Sequence, residues 1–473
     1  MSEVITIEPL TRLEGHGKVT IQLDGAGEVA DARFHVTEFR GFEKFCEGRM
    51  LWEMPVITER VCGICPVSHH LASVKACDAV LGVSPPRAGT MLRELMHMGQ
   101  MIHSHALHFF YLAAPDLVLG PDIDPAIRNV VGMAQANPEL MRKAIRLRSI
   151  GQEIIKQVAG RSIHPAAAIP GGMSKPLSHA ERYQVIQMLD EALPLAREAM
   201  ELVKKLCENN TDLFERVGGI RTKFMGLTRD GALDLYHGRV RMIDEAGKQI
   251  VEFDASDYLD HLAERVEDWS YLKFPYHRAS GWPDGIYRVN SLARLNICSS
   301  ISTPLAAKEL QWFKSLADGP IHNSLFYHPA RLIEILHCVE RARQLVDDAD
   351  IVSKDVRVKA ARKGGEGVGV IEAPRGTLFH HYWADEMGRV EKVNLIVATV
   401  QNNPAMNLSV AATAREFIKA GQVSEGLLNR VEMAVRAYDP CLSCATHAIG
   451  RMPLDVQIVG PDGLVKHLVR GPE

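Results

Sequence analysis

The sequence predicts a mainly α-helical protein with small peripheral β-sheets, an α+β chain built on long helices. Three observations predict it. Long stretches place apolar residues every three or four positions; a capping-box signal stands at the head of one such stretch; and short alternating runs are separated by Gly- and Asp-containing turns near the chain ends and at one central place. No internal repeat or low-complexity linker divides the 473 residues, which read as one large helical body with small α/β appendages.

In chain order, Val19, Ile21 and Leu23 alternate with polar residues, DGAGE offers a turn and VADARFHVTEF resumes, which predicts a hairpin opening. From Thr90 to Ala114 the spacing of Leu95, Met98, Ile102, His105, Phe109 and Leu112 predicts a long amphipathic helix. Ser178 and Glu181 form the capping box of the next helical run, in which Pro194 is expected to introduce a kink. Helical periods follow around 326–348 and 408–438. Hairpins are expected at 238–253, in GRVRMIDEAGKQIVEF, and at the C-terminus, in LDVQIVGPDGLVKHLV.

Composition narrows the function. Lys and Arg total 54 against 58 Asp and Glu, so there is no basic excess to neutralise phosphates and nucleic-acid binding is not expected. No apolar run approaches the ~20 residues of a membrane span. The opening MSEVITIEPLTRLEGHGK lacks a charged-then-apolar signal pattern, which predicts a cytoplasmic chain.

The nine cysteines argue for reduced thiols rather than a disulfide framework. Four form two C-x-x-C pairs near opposite ends of the chain, Cys62/Cys65 in RVCGIC and Cys441/Cys444 in DPCLSC. That separation far exceeds the ~15–20 residues between the knuckles of a zinc ribbon. A thioredoxin-like redox pair would want a single motif. Spacing alone leaves open a four-thiolate metal site assembled from both ends, two separate motifs, or unpaired structural cysteines. Arg60, His69, Asp439 and His447 flank the pairs, and cationic or hydrogen-bonding neighbours favour the thiolate form that binds metal.

EPLTRLEGHGK (8–18), FRGFEKF (39–45), RVCGICPVSHH (60–70), EAPRGTLFHHY (372–382) and DPCLSCATH (439–447) resemble, in order, the signature segments of the large subunit of nickel–iron hydrogenases. HSHALHFF, EFDASDYLDHL, EDWSYLKFPY and RAYDPCLSCATHA look most like the cytoplasmic bidirectional type that couples hydrogen to NAD. The resemblance runs nearly the full chain and implies the hydrogenase large-subunit fold, built on a long-helix bundle. It also implies reversible heterolytic cleavage of H2 at a nickel ion and an iron carrying two cyanides and one carbon monoxide. By that resemblance, Cys62 and Cys441 are terminal nickel ligands, while Cys65 and Cys444 bridge nickel and iron. Glu14 is the proton gate, Arg375 is the essential arginine beside the metals, and His69 hydrogen-bonds a bridging thiolate. Asp439 and Pro374 line the pocket, and Thr399 offers a hydroxyl to a cyanide. Glu43 and His447 match residues of a nearby site for magnesium or a similar divalent ion.

One departure is visible. Where many membrane-bound members have His-Asp-His, this chain has His103-Ser104-His105, so Arg375 is expected to be held by Asp439 alone. The cluster His103, His105 and His108 reads as core histidines bonded to backbone rather than as ligands. Cys46, Cys77, Cys207, Cys298 and Cys338 are scattered singly and give no iron–sulfur run. A cluster-bearing small subunit is therefore implied. The glycine-rich KGGEGVGVIEAP (363–374) fails G-x-G-x-x-G at Val370, so NAD is not expected here; the resemblance puts flavin and NAD on separate diaphorase subunits. Residues 1–447 are expected to form the body, and residues 448–473 an extension that a maturation endopeptidase removes. The rival readings are a zinc-stabilised binding module and a metal-lacking scaffold related to the homologous subunit of respiratory complex I, against which the retained cysteines argue.

Overall fold

The structure, a computed structural model, describes residues 3–448, 454–460 and 463–470. Seven helices carry the body: α1 (Pro66–Leu81), α2 (Arg87–Leu107), α3 (Pro138–Ala159), α4 (His179–Asn209), α5 (Tyr327–Asp347), α6 (Ala398–Phe417) and α7 (Glu425–Ala437). Helix α2 packs against both α3 and α5, and α4 lies against α5 and α3. The α2/α3 crossing is tight because glycines face each other: a Cβ on Gly99 would stand 2.8 Å from the Gly151 carbonyl, and one on Gly151 only 2.6 Å from that of Gly99.

Around this bundle sit small sheets. β1 (Val4–Ile7), β2 (Gly17–Leu23) and β3 (Val29–Val36) form an antiparallel sheet whose Val19, Ile21 and Leu23 are buried, as the alternation predicts. β4 (Lys223–Arg229), β5 (Arg239–Ile243) and β6 (Gln249–Phe253) carry the central hairpin, with Val240 opposite Phe253. β7 (Gly365–Ala373), β8 (Gly376–Ala384) and β9 (Val390–Ile396) form a third antiparallel sheet. The C-terminal hairpin is present as β10 (Leu454–Gly460) and β11 (Gly463–Arg470), with its turn outside the described residues.

The predicted capping box forms: the Ser178 amide donates to Glu181 Oε2 at 2.8 Å and the Glu181 amide to Ser178 Oγ at 3.2 Å. Helix α4 runs through Pro194 as one element. Two boundaries differ from the periodicity. The helix expected from Thr90 to Ala114 is α-helical to Leu107, then takes a π-helical turn over His108–Ala113 before resuming at Ala114. A π turn adds one residue to the ring and so shifts the phase of the residues beyond it: Leu112, which α-helical spacing places on the apolar side, is half-buried, while Ala113 and Ala114 are buried. The period at 408–438 is two helices, divided where Gly421 takes φ +69° and the Ser424 hydroxyl caps α7. The first of them begins at Ala398, two residues before a VQNN stretch whose buried Gln401, Asn402 and Asn403 each donate to a backbone carbonyl.

The glycine-rich strand β7 seats α1. A Cβ on Gly369 would lie 2.1 Å from the Ala72 carbonyl, and one on Gly367 2.4 Å from the Val80 amide. Those glycines let the helix that begins at Cys65 lie directly on the strand that leads to Arg375.

Candidate metal centre

The two ends of the chain meet at the cysteines. Cys65 is the N-cap of α1, with Pro66 in the first turn, and the Cys62 sulfur accepts from the amides of Ile64 at 3.2 Å and Cys65 at 3.4 Å. Cys441 precedes a short helical turn, Leu442–Ala445, and its amide donates to Thr399 Oγ1 at 3.0 Å. The N-terminal segment crosses this turn: the Leu442 amide donates to the Glu14 carbonyl at 3.1 Å, and the Gly41 and Glu43 amides donate to the carbonyls of Thr446 and His447.

These local structures place four sulfurs together, all within 4.8 Å of one another and all buried. Cys62 and Cys441 stand 3.3 Å apart, Cys65 and Cys444 3.5 Å, and Cys441 and Cys444 2.8 Å. Among the described residues they are the one group of three or more Cys, His or acidic side chains so arranged. Hydrogen bonds from the other three thiols hold Cys65 well below the ordinary thiol range, whereas burial pushes Cys441 and Cys444 well above it. Four thiolates at these separations would repel one another strongly, and a soft divalent cation is what neutralises such a set. The donor set therefore fits a nickel–iron centre by its chemistry.

Arg375 reaches the site from the tip of the β7–β8 hairpin, where Ala373 pairs with Gly376 across Pro374 and Arg375. Gly376 is required at this turn: its φ is +130° and a Cβ would meet Val289 Cγ2 at 2.3 Å. Arg375 Nε donates to the Asp439 carbonyl at 2.7 Å and Nη2 to Asp439 Oδ1 at 3.1 Å. Its Nη1 and Asp439 Oδ2 have no partner and are buried. Burial disfavours the charged guanidinium, but Asp439 and the cysteine thiolates outweigh it and hold Arg375 charged, well above its usual range. Burial pushes the Asp439 carboxyl up to about 6 against the pull of Arg375 and Arg331. Asp439 is the acidic partner that Arg375 has among the described residues, as the His-Ser-His departure leads one to expect.

The other expected residues surround this core. A narrow cavity beside the sulfurs is lined by Cys65, His69, Pro374, Arg375, Thr399 and Cys444, among others. His69 Nε2 lies 3.4 Å from the Cys444 sulfur. The Glu14 carboxylate accepts from the Ser443 amide at 3.0 Å and also from the Ser443 hydroxyl. Glu43 Oε1 accepts from the Leu395 amide at 2.7 Å and faces His447 Nε2 at 3.7 Å. His447 Nδ1 donates to the Cys444 carbonyl at 3.0 Å, which leaves the buried Nε2 lone pair free of any hydrogen-bond partner. Burial pushes His447 down to about 4 and raises Glu43. A neutral imidazole and a carboxylate aimed at each other suit a hard divalent cation, with oxygen ligands completing its shell.

His103 and His105 on α2 and His108 at the start of the π turn do not converge. His108 Nε2 bonds the Arg436 carbonyl at 2.8 Å as expected, but His105 Nε2 bonds the Glu334 carboxylate at 2.8 Å rather than backbone, and the His103 ring is buried with Nδ1 unpaired. Sequence reasoning missed several residues that support the centre. Ser443, inside the second cysteine motif, joins Glu14 to the turn that carries Cys441 and Cys444. Arg331 on α5 is fully buried with all three guanidinium nitrogens unpartnered. Arg294 binds Glu334 through two bonds at 2.6 and 2.7 Å, Glu372 at 2.8 Å and the Ala373 carbonyl at 2.9 Å, and so fixes the hairpin that carries Arg375. Nothing in the local sequence separates such arginines from surface ones. Replacing Arg294 by Met leaves two buried carboxylates uncompensated and is expected to destabilise the fold by about 3–5 kcal/mol. Denaturant unfolding of the full chain measures it, and a loss under ~1 kcal/mol would show that the network carries little of the stability.

A long-helix body with four cysteine sulfurs buried together at the junction of its two ends has the architecture of a metalloprotein subunit. The chain belongs to the nickel-dependent hydrogenase family, as a large subunit: the family's model matches residues 40–129 and 249–447, and a second, described as HoxL-like, matches residues 4–39. It is 48% identical over 415 residues to a subunit of the vhu F420-non-reducing hydrogenase of Methanococcus voltae, covering 88% of this chain and 99% of that protein. It is 44% identical to the NAD-reducing hydrogenase HoxS subunit beta of Cupriavidus necator, covering 98% of this chain and 98% of that one. The crystal structure of an NAD+-reducing nickel–iron hydrogenase in its H2-reduced state superposes with a TM-score of 0.90 at 48% identity, covering 94% of this chain and 99% of that one. The fold expected from the sequence is thus the fold observed. No helix among the described residues is long and apolar enough to cross a membrane.

Proposed function

We propose that this subunit cleaves H2 reversibly and heterolytically, and that its electrons pass through an iron–sulfur partner subunit to NAD(P) on diaphorase subunits. The observation that carries the reading is the buried four-sulfur cluster in a chain of this family. Likeness over the full length to the HoxS subunit beta supports NAD(P) as the acceptor. Cys62, Cys65, Cys441 and Cys444 would hold the nickel and the iron. The bimetallic centre supplies Lewis acidity and redox capacity, which make bound hydrogen acidic enough to lose a proton. Arg375, fixed by Asp439, lines the cavity with the sulfurs and keeps Nη1 unpaired, and a charged donor there orients and polarises what binds. Glu14 takes up the proton and passes it outward. Thr399 lines the cavity and accepts from the Cys441 amide, and Glu43 with His447 would hold magnesium or a similar ion that ties the C-terminal turn to the 39–45 segment.

We further assign residues 1–447 to the mature body and 448–473 to an extension that an endopeptidase removes. The family match ending at residue 447 and the self-paired hairpin beyond it support that division.

The test is the nickel, iron and zinc content of the complex purified from its native host. About one nickel per chain, with iron in excess of the partner's clusters, is expected. Zinc without nickel would make the four thiolates a structural site and overturn the reading. Reduction of NAD by hydrogen in the same preparation decides the acceptor.

A further inference from the structure

A continuous chain of buried hydrogen bonds leads away from the sulfur of Cys444. His69 Nε2 lies 3.4 Å from that sulfur; His69 Nδ1 lies 3.1 Å from His380 Nε2; His380 Nδ1 lies 2.6 Å from the Tyr382 hydroxyl; and the Tyr382 hydroxyl donates to Ser73 Oγ at 2.9 Å. His69, His380, Tyr382 and Ser73 are each at most 1% exposed. The elements make the alignment rigid. His380 and Tyr382 are two positions apart on β8, so they share a face of the sheet, and that face meets α1, which contributes His69 and Ser73 one turn apart.

A neutral imidazole has one N–H and one lone pair, so each ring in such a chain hands on the polarity it receives. With both rings neutral, two arrangements are self-consistent. In one, every donor points away from the sulfur: Cys444 S–H donates to His69 Nε2, His69 Nδ1–H to His380 Nε2, and His380 Nδ1–H to the Tyr382 oxygen. In the other, every donor points toward it: Tyr382 O–H donates to His380 Nδ1, His380 Nε2–H to His69 Nδ1, and His69 Nε2–H to the sulfur. In the first arrangement the Tyr382 O–H goes on to Ser73 Oγ, as it does in this structure; in the second the same O–H turns to His380 Nδ1 and the bond to Ser73 is given up. Both arrangements use neutral rings, and burial drives His380 well below its usual range.

Resting on the reading of Cys444 as a metal-bound thiolate, we propose that His380 and Tyr382 are positioning residues that hold His69 as its Nε2–H tautomer, so that the ring donates to the Cys444 sulfur. A sulfur ligating a metal has no proton and can only accept, which selects the second arrangement. The Tyr382 hydroxyl, the first group beyond the rings that can either give or accept, is what makes that arrangement available. A hydrogen bond from His69 withdraws electron density from the bridging sulfur, and residues that fix such a donor tune the metals without touching them.

Infrared spectra of the metal-loaded complex test this. Tyr382→Phe can no longer donate to His380, and His380→Leu can no longer donate to His69. With metal content as in the wild type, both are expected to move the carbon monoxide and cyanide stretches to lower wavenumber. His380→Gln keeps an amide N–H for His69 and should leave the bands close to wild type. Unmoved bands in both Tyr382→Phe and His380→Leu would overturn the proposal. Should those variants fail to load metal, solid-state 15N NMR of histidine-labelled wild-type complex decides. Nε2–H on both rings is expected, and Nδ1–H or a charged ring at His69 would refute it. A wild-type chain that carries no nickel would instead defeat the hydrogenase reading itself, so the two failures are distinguishable.

Discussion

Cys65→Ser and Cys444→Ser are each expected to abolish hydrogen uptake and to leave the purified chain without nickel. Both sulfurs sit at the centre of the cluster, 3.5 Å from each other, and Cys444 is also 2.8 Å from Cys441. Serine keeps the shape within a fraction of an ångström but replaces a soft, acidic sulfur with a hard hydroxyl that does not ionise near neutral pH, so the site loses both a charge and its preference for nickel. The fold should survive, because Cys65 contributes its backbone as the helix N-cap and no side-chain cap bond. Circular dichroism and elemental analysis of the same preparation separate the two effects. Wild-type turnover with either serine would remove these cysteines from the ligand set. Cys77→Ser is the control: its thiol is equally buried but donates to the Leu51 carbonyl at 3.3 Å, so it should cost stability without changing nickel content.

Much of the fold and of the site was legible in the sequence, for different reasons. The alternation at Val19, Ile21 and Leu23 and the Ser178–Glu181 box read correctly because each is a local signal whose partner lies within a few residues. The π turn at His108–Ala113 did not, since every three-or-four spacing up to Leu112 fits an uninterrupted α-helix and only the half-buried Leu112 shows that the stripe has shifted. The polar start of α6 was missed because Gln401, Asn402 and Asn403 look like loop residues until the carbonyls that receive them come from other elements. At the site, the C-x-x-C pairs are visible as spacing, yet nothing in spacing says that Cys62 and Cys441 approach within 3.3 Å. The family resemblance supplied that expectation. The buried arginines 294 and 331 stayed invisible for the same reason as the amides: a lone arginine is ordinarily a surface residue, and only tertiary contacts show that Arg294 clamps the Arg375 hairpin.

Glu14→Gln should separate metal binding from proton movement. The Glu14 carboxylate accepts the Ser443 amide at 3.0 Å, in the turn between Cys441 and Cys444, and the backbone of Glu14 pairs with Leu442. Glutamine has the same length and its carbonyl oxygen can still accept from that amide, so the turn and the cysteines on it stay in place. What glutamine cannot do is take a proton. Two residues on, His16 is held by Glu38 at 2.9 Å with its own side chain 80% exposed, so a proton leaving Glu14 has only a short way to travel to water. General acid–base catalysis by a placed carboxyl is worth roughly 10²–10⁴ in rate, and a comparable fall in hydrogen/deuterium exchange is expected for the variant. Exchange is the right assay because it needs proton transfer but no external electron acceptor, so a damaged partner subunit cannot mimic the result. Nickel content and the carbon monoxide and cyanide infrared bands should match the wild type. Exchange at the wild-type rate with an intact centre would mean that the proton leaves by another group, and a loss of nickel would mean that the carboxylate's hold on Ser443, rather than its proton affinity, is what the site requires.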